Sequence, residues 1–233
     1  MNLTRDTWTI ADYEELSAYL ATLGKGEEKA KWEARVLNTA MPTIAVPAPE
    51  IKRVVRAIAK GNVRDYVALW RYKNYTEFAV LGQLLCHLPF AEAEPLLLRY
   101  AEACDTWAGT DCLWFDRATH AEYLAFAARC LPSPHPFVRR LGLIVMLKII
   151  DDDTINAILG LLPALETEQE YYVNMAVAWL VAECFVKFRA RTLAFLDEGR
   201  YNVFVSRKAV SKCRDSYRVT PEDKEMLLQY RKK

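Results

Sequence analysis

Apolar residues recur along this chain at intervals of three and four, and glycine and proline cut the pattern into lengths of ten to twenty residues. That is the spacing of successive amphipathic helices. Trp8, Ile10, Tyr13, Leu16, Leu20 and Leu23 share one helical face that stops at Gly24 and Gly26. A second helix is predicted over 27–40, after which Pro42, Pro47 and Pro49 break the chain. Pro49 suits the first turn of a helix over 50–60, closed by Gly61-Asn62. The pattern continues with helices over 62–70, from Tyr75 to before Pro89, 90–104, a short segment around Trp107, and 117–131, which Pro132-Ser133-Pro134 ends. Further helices are predicted over 137–150, 154–162, 168–188, 190–197, 206–215 and 221–230. Thr220-Pro221-Glu222-Asp223 is a strong start signal, with Thr at the N-cap and Pro in the first turn. Only 201–205 alternates as a strand would, and it is short enough to be a turn.

The runs 141–147 and 175–186 are apolar on nearly every side, so these helices are expected to lie between neighbouring layers. The segments around Trp107, Arg140 and Trp179 recur about every 30 to 45 residues, the scale of HEAT or armadillo repeats. Stacked helical pairs of that kind form a curved solenoid with a concave binding face, although an ordinary bundle fits the periodicity too. A single domain over 1–233 is expected.

Composition sharpens this. The chain is 52% hydrophobic with only 8 glycines, too few for the turns and phosphate loops of most β-rich or βαβ folds. No uncharged apolar run reaches membrane-spanning length, and the N-terminus lacks a signal-type apolar core. Six cysteines without a Cys-x-x-Cys pair, each in an apolar context, point to a reduced cytoplasmic protein. The three histidines have no metal-ligand spacing, so no metal site is expected. The net charge of +1 conceals an asymmetry: residues 187–233 hold thirteen basic and six acidic side chains, a local excess of +7. A basic end on a neutral protein suits a polyanion, or is an ordinary solvated face.

The candidate chemistry lies in Cys104-Asp105-Thr106-Trp107-Ala108-Gly109-Thr110-Asp111-Cys112. Trp107 and Asp111 are four residues apart and so share one side of a helix. A carboxylate beside apolar surface needs a partner or a task. Arg139 and Arg140 open one apolar helix, and Trp179 sits within another. Spread over successive helices, Trp107, Asp111, Arg140 and Trp179 could line one surface suited to a planar cation. Each has an ordinary alternative: a capping or solvated Asp, a core Trp, a snorkelling Arg.

Four segments in order resemble the DNA alkylation repair enzymes, the AlkD-like DNA glycosylases built of HEAT-like repeats. Trp107-x-x-x-Asp111 is similar to that family's Trp and catalytic Asp. Phe137-Val138-Arg139-Arg140-Leu141-Gly142-Leu143 resembles the start of the helix with its active-site Arg, and the spacing to Gly142 selects Arg140. Ala176-Val177-Ala178-Trp179-Leu180 resembles the helix with its second Trp. Ser206-Arg207-Lys208-Ala209 and Ser216-Tyr217-Arg218-Val219 look like the family's close. The resemblance covers roughly residue 10 to the end. It implies an all-α, right-handed superhelical stack of antiparallel HEAT-like repeats with a concave DNA-binding face. It also implies a monomer that excises N3- or N7-alkylated purines from double-stranded DNA without a cofactor. Asp111, Arg140, Trp107 and Trp179 would serve the chemistry; Arg139, Arg140, Lys148, Arg207, Lys208, Lys212 and Arg214 would contact DNA. Two other readings stand beside it: a non-catalytic HEAT-like protein that binds distorted or branched DNA, and a protein-interaction scaffold.

Overall fold

A computed structural model describes residues 1–232. The chain is all-α, with fourteen α-helices, two short 3-10 turns and no strand among the described residues. It divides into two compact units, Met1–Ala118 and Thr119–Lys233.

The first unit holds α1 (Ile10–Leu23), α2 (Glu27–Leu37), α3 (Ala48–Ile58), α4 (Val63–Leu69), α5 (Tyr75–Leu85), α6 (Phe90–Glu102) and α7 (Trp107–Asp111). Its axis is α5, buried along its whole length, against which α1, α3, α4, α6 and α7 pack. A charge lies inside that core. Glu77 is fully buried and accepts hydrogen bonds from Tyr13 Oη (2.5 Å), Ser17 Oγ (2.7 Å), Asn74 Nδ2 (3.0 Å) and the Lys73 amide (2.6 Å). Four donors replace the water the carboxylate gives up, and they tie α1 to the start of α5.

The second unit holds α8 (His120–Cys130), α9 (Pro136–Lys148), α10 (Ile155–Leu161), α11 (Tyr171–Lys187), α12 (Arg189–Glu198), α13 (Val203–Asp215) and α14 (Pro221–Met226). Here α9 packs on α8 and α11, and α11 packs on α12 and α13. The two all-round apolar runs are thus the inner helices, as their composition predicts. Gly142 lets α8 and α9 approach closely: a Cβ there would lie 2.8 Å from Cys130 Cβ and 2.9 Å from the Ala127 carbonyl.

Where helix ends depart from the sequence pattern, capping decides. Asn38 adopts the left-handed conformation (φ 51°) and stops α2 at Leu37, short of residue 40. A capping box between Thr119 and Glu122 starts α8 at His120 rather than at 117. The strand-like run 201–205 is a helix start. Asn202 accepts a hydrogen bond from the Val205 amide (2.8 Å), and Tyr201 is buried and donates to the Leu196 carbonyl (3.0 Å).

Candidate functional site

A single turn of five residues, α7 is far too short to persist alone. Three successive side chains dock it onto the C-terminal end of α2. Asp105 accepts from Thr39 Oγ (2.6 Å) and the Ala40 amide (2.7 Å). Buried Thr106 donates to the Leu37 carbonyl (2.6 Å), and Trp107 Nε1 donates to the Val36 carbonyl (3.3 Å). The last carbonyls of a helix have no partner within it, and α7 with its cap satisfies two of them. From the other side, Tyr100 Oη donates to the Gly109 carbonyl (3.1 Å).

Gly109 costs helix propensity, about 1 kcal/mol relative to Ala, and the structure explains its presence. A Cβ there would fall 2.5 Å from Cys104 Sγ and 3.1 Å from Phe78 Cε1. Trp107 is half-buried against Leu37, Tyr75, Ala79 and Ala108. Asp111 closes the helix, partly exposed, and accepts from Thr110 Oγ (3.2 Å). Neighbouring ionisable groups stay neutral. Burial first, then adjacent thiols and the Asp111 carboxylate, push the Cys112 thiol well up. Burial with nearby negative charge does the same to the Tyr75 hydroxyl, and burial raises Cys86 to about 12. Protonated thiols of this kind are poor nucleophiles.

In the second unit the paired arginines of α9 diverge. Arg139 makes a bidentate pair with Glu168 (2.6 and 3.1 Å) and donates to the carbonyls of Ser133 and Pro134 (2.7 and 3.1 Å). Its side chain retains 14% exposure and its partner's 7%, so it braces the turn before α9 against the start of α11. Burial would raise the Glu168 carboxyl, but hydrogen bonds from Arg139 and from the amides of Glu170 and Gln169 outweigh it and hold the group below its ordinary value. Arg140 is buried and donates to the Tyr172 carbonyl (2.5 Å).

Trp179 lies on the one stripe of α11 that is not fully covered, with Met175, Glu183 and Val186. It opens onto a groove of about 420 Å³ shared with Ala182, Glu183, Lys212, Asp215, Tyr217 and Arg218. Arg218 holds Glu183 by two hydrogen bonds (3.0 and 2.6 Å). Tyr217 is 94% exposed, and sequence reasoning did not single it out as a site residue. The available signal was an aromatic in a polar turn between the basic end of α13 and the acidic start of α14.

Charge alone groups Arg207, Lys208, Lys212 and Arg214, but helical spacing on α13 divides them. Arg207 and Arg214 line a second groove with Ser211 and Arg231, whereas Lys212 faces the Trp179 groove. Lys208 Nζ lies 5.9 Å from the Phe204 ring. Arg214 pairs with Glu225 (3.4 Å), and Arg207 donates to the Lys232 carbonyl (3.1 Å). Lys148, at the end of α9, is exposed and has no carboxylate partner among the described residues.

A search of the curated proteins finds no match. The family model of the DNA alkylation repair enzymes matches residues 16–213, a span that includes α7, the paired arginines of α9, the Trp179 stripe of α11 and nearly all of α13. The chain belongs to the DNA alkylation repair enzyme family.

Proposed function

We propose that this protein is a DNA N-glycosylase that excises cationic N3- or N7-alkylated purines from double-stranded DNA. The observation that carries the reading is α7: a half-buried Trp and a partly exposed carboxylate one helical turn apart, on a segment pinned by at least four hydrogen bonds from its own and adjoining residues. Alkylation of a ring nitrogen makes the base cationic and weakens its bond to C1′. As that bond breaks, the base takes the electron pair, becomes neutral and leaves positive charge on the deoxyribose. A rigid carboxylate beside the sugar stabilises this oxocarbenium ion more than the ground state, which lowers the barrier. Water then adds at C1′ and releases a proton to Asp111 or to solvent.

In this reading Trp107 packs its ring against the lesion nucleotide, where an aromatic face also attracts a cation by about 0.5–2 kcal/mol. Arg140 contributes a fixed positive charge toward the flanking phosphate. The Trp179 groove with Lys212, the exposed cations Lys148, Arg207 and Lys208, and the half-buried Arg214 bind the DNA backbone with an affinity that falls as salt rises. Arg139, engaged by Glu168, supports α9. The scheme uses no metal or redox cofactor.

The test is to incubate the protein with methylated duplex DNA and measure the free bases. Release of N3- or N7-methylpurines is the expected result. Binding without release would transfer the function to the non-catalytic DNA-binding reading, and the absence of salt-sensitive DNA binding would leave a protein-interaction scaffold.

A further inference from the structure

The loop between α4 and α5 carries a basic, aromatic pocket in the first unit that the excision chemistry does not use. It has a volume of about 530 Å³ and is lined by Tyr13, Trp70, Arg71, Tyr72, Lys73 and Arg99. Trp70 caps α4 in the left-handed conformation, at φ 46° and ψ 51°. For a bulky residue that conformation is strained, by about 1–3 kcal/mol. Asn38 performs the same backbone task for α2 with a residue that tolerates it. Capping therefore does not account for an indole at position 70.

What surrounds the indole suggests its use. The Arg99 guanidinium lies 4.1 Å from the Trp70 ring centroid, a close cation–π stack. Arg71 and Arg99 are both exposed, and neither has a carboxylate partner among the described residues. Lys73 pairs with Glu14 at the surface, and Glu77, the other nearby carboxylate, is turned inward onto its donors. The pocket is thus net positive. It is also held in shape: Tyr72 meets Phe78 edge-on at 5.0 Å, the Lys73 amide is bound by Glu77, and Asn74 caps α5. A rigid flat stack flanked by guanidinium groups that no carboxylate neutralises matches a planar base joined to a phosphate. Guanidinium planes and aromatic rings both stack on unpaired bases, and the phosphate fulfils the demand for negative charge.

We propose that this pocket binds one unpaired nucleotide of a DNA strand, its base on the Trp70–Arg99 stack and its phosphate between Arg71 and Arg99. The site is separate from Asp111 and does not depend on base excision. The probe is an eight-nucleotide single strand of thymidines with one 2-aminopurine, whose fluorescence is quenched when it stacks. The wild type should bind it with quenching. Arg99→Ala and Arg71→Ala should each weaken binding about five- to tenfold, on the scale of a single stacking or phosphate interaction. Each should also reduce the salt slope by about 0.7, the value for one phosphate of a single strand. Trp70→Asn retains a residue suited to the left-handed cap and should abolish the quenching while the helical circular dichroism stays unchanged. Arg71→Ala should still release bases from methylated duplex DNA at the wild-type rate when the protein is saturating, which separates this site from the excision reading. Binding and quenching unchanged in Arg99→Ala and Trp70→Asn would overturn the proposal. So would a free deoxynucleotide monophosphate that binds as tightly as the strand, because the pocket would then serve a mononucleotide.

Discussion

Trp107 in the first unit and Trp179 in the second, the tryptophans to which the proposed function assigns roles, are held by opposite means. Trp107 sits on one turn of helix that the chain could not sustain locally, and side-chain hydrogen bonds to the end of α2 and from Tyr100 keep it in place. Trp179 sits on a seventeen-residue helix whose neighbours are buried by packing, with its ring on the one open stripe. Directional bonds fix a side chain within a fraction of an ångström, as chemistry at a single atom requires. Apolar packing fixes a surface, which is sufficient for binding a polymer. Under the proposed function, then, α7 governs rate and the α11–α13 groove governs affinity.

The largest expected effect breaks the pair on the chemical side. Asp111→Asn retains shape and removes charge, and should slow base release about a hundred- to a thousandfold, the range for one electrostatic interaction of about 3–4 kcal/mol. The lower end is expected because alkylation has already weakened the bond. DNA affinity should be unchanged or slightly tighter, since a negative charge leaves a polyanion site. Gel-shift titration beside the release assay checks both.

Thr106→Val comes next. It leaves the Leu37 carbonyl without its 2.6 Å partner, and an unsatisfied buried acceptor costs about 1–3 kcal/mol. Denaturant unfolding should report that loss, and base release should fall because α7 shifts. A stability loss with unchanged release would show that α7 need not be rigid. Removing Lys208 and Lys212 together should weaken duplex binding several-fold and flatten its salt dependence by about 0.9 for each phosphate no longer neutralised. An unchanged slope would exclude that face of α13 from the interface.

The smallest effect concerns the Arg139–Glu168 brace and appears only in acid. Because the folded Glu168 carboxyl lies below its ordinary value of 4.5, its stabilising contribution is complete above that pH. It disappears as pH falls through the folded value. The melting temperature of the wild type should therefore decline below about pH 4.5 more steeply than that of Glu168→Gln. Parallel curves would mean that the pair adds no pH-dependent stability.

Much of this was legible in the sequence because helices announce themselves by period and by caps. The all-α class, the buried character of α9 and α11, and the Trp107–Asp111 spacing all follow from local pattern. What local pattern does not contain is tertiary placement. The run 201–205 alternates like a strand, but Asn202 closes a capping bond and a helix begins. Arg139 and Arg140 look equivalent as charges until Glu168 and the Tyr172 carbonyl each claim one. The basic residues of α13 form one cluster in sequence and two faces in space. The two compact units divide within the stretch 112–119 between α7 and α8, which holds no glycine, proline or serine to mark it in the sequence. Tyr217 and the Trp70 pocket were missed because exposure and backbone strain leave no periodic trace.

The most direct test of this division of labour is single-turnover base release from methylated duplex DNA as protein concentration is raised to saturation. The Lys208→Ala, Lys212→Ala double variant should need more protein yet reach the wild-type plateau rate. Asp111→Asn should saturate at wild-type concentrations on a plateau about a hundredfold lower, the effect of one missing charge. An Asp111→Asn plateau equal to that of the wild type would contradict the assignment of rate to α7.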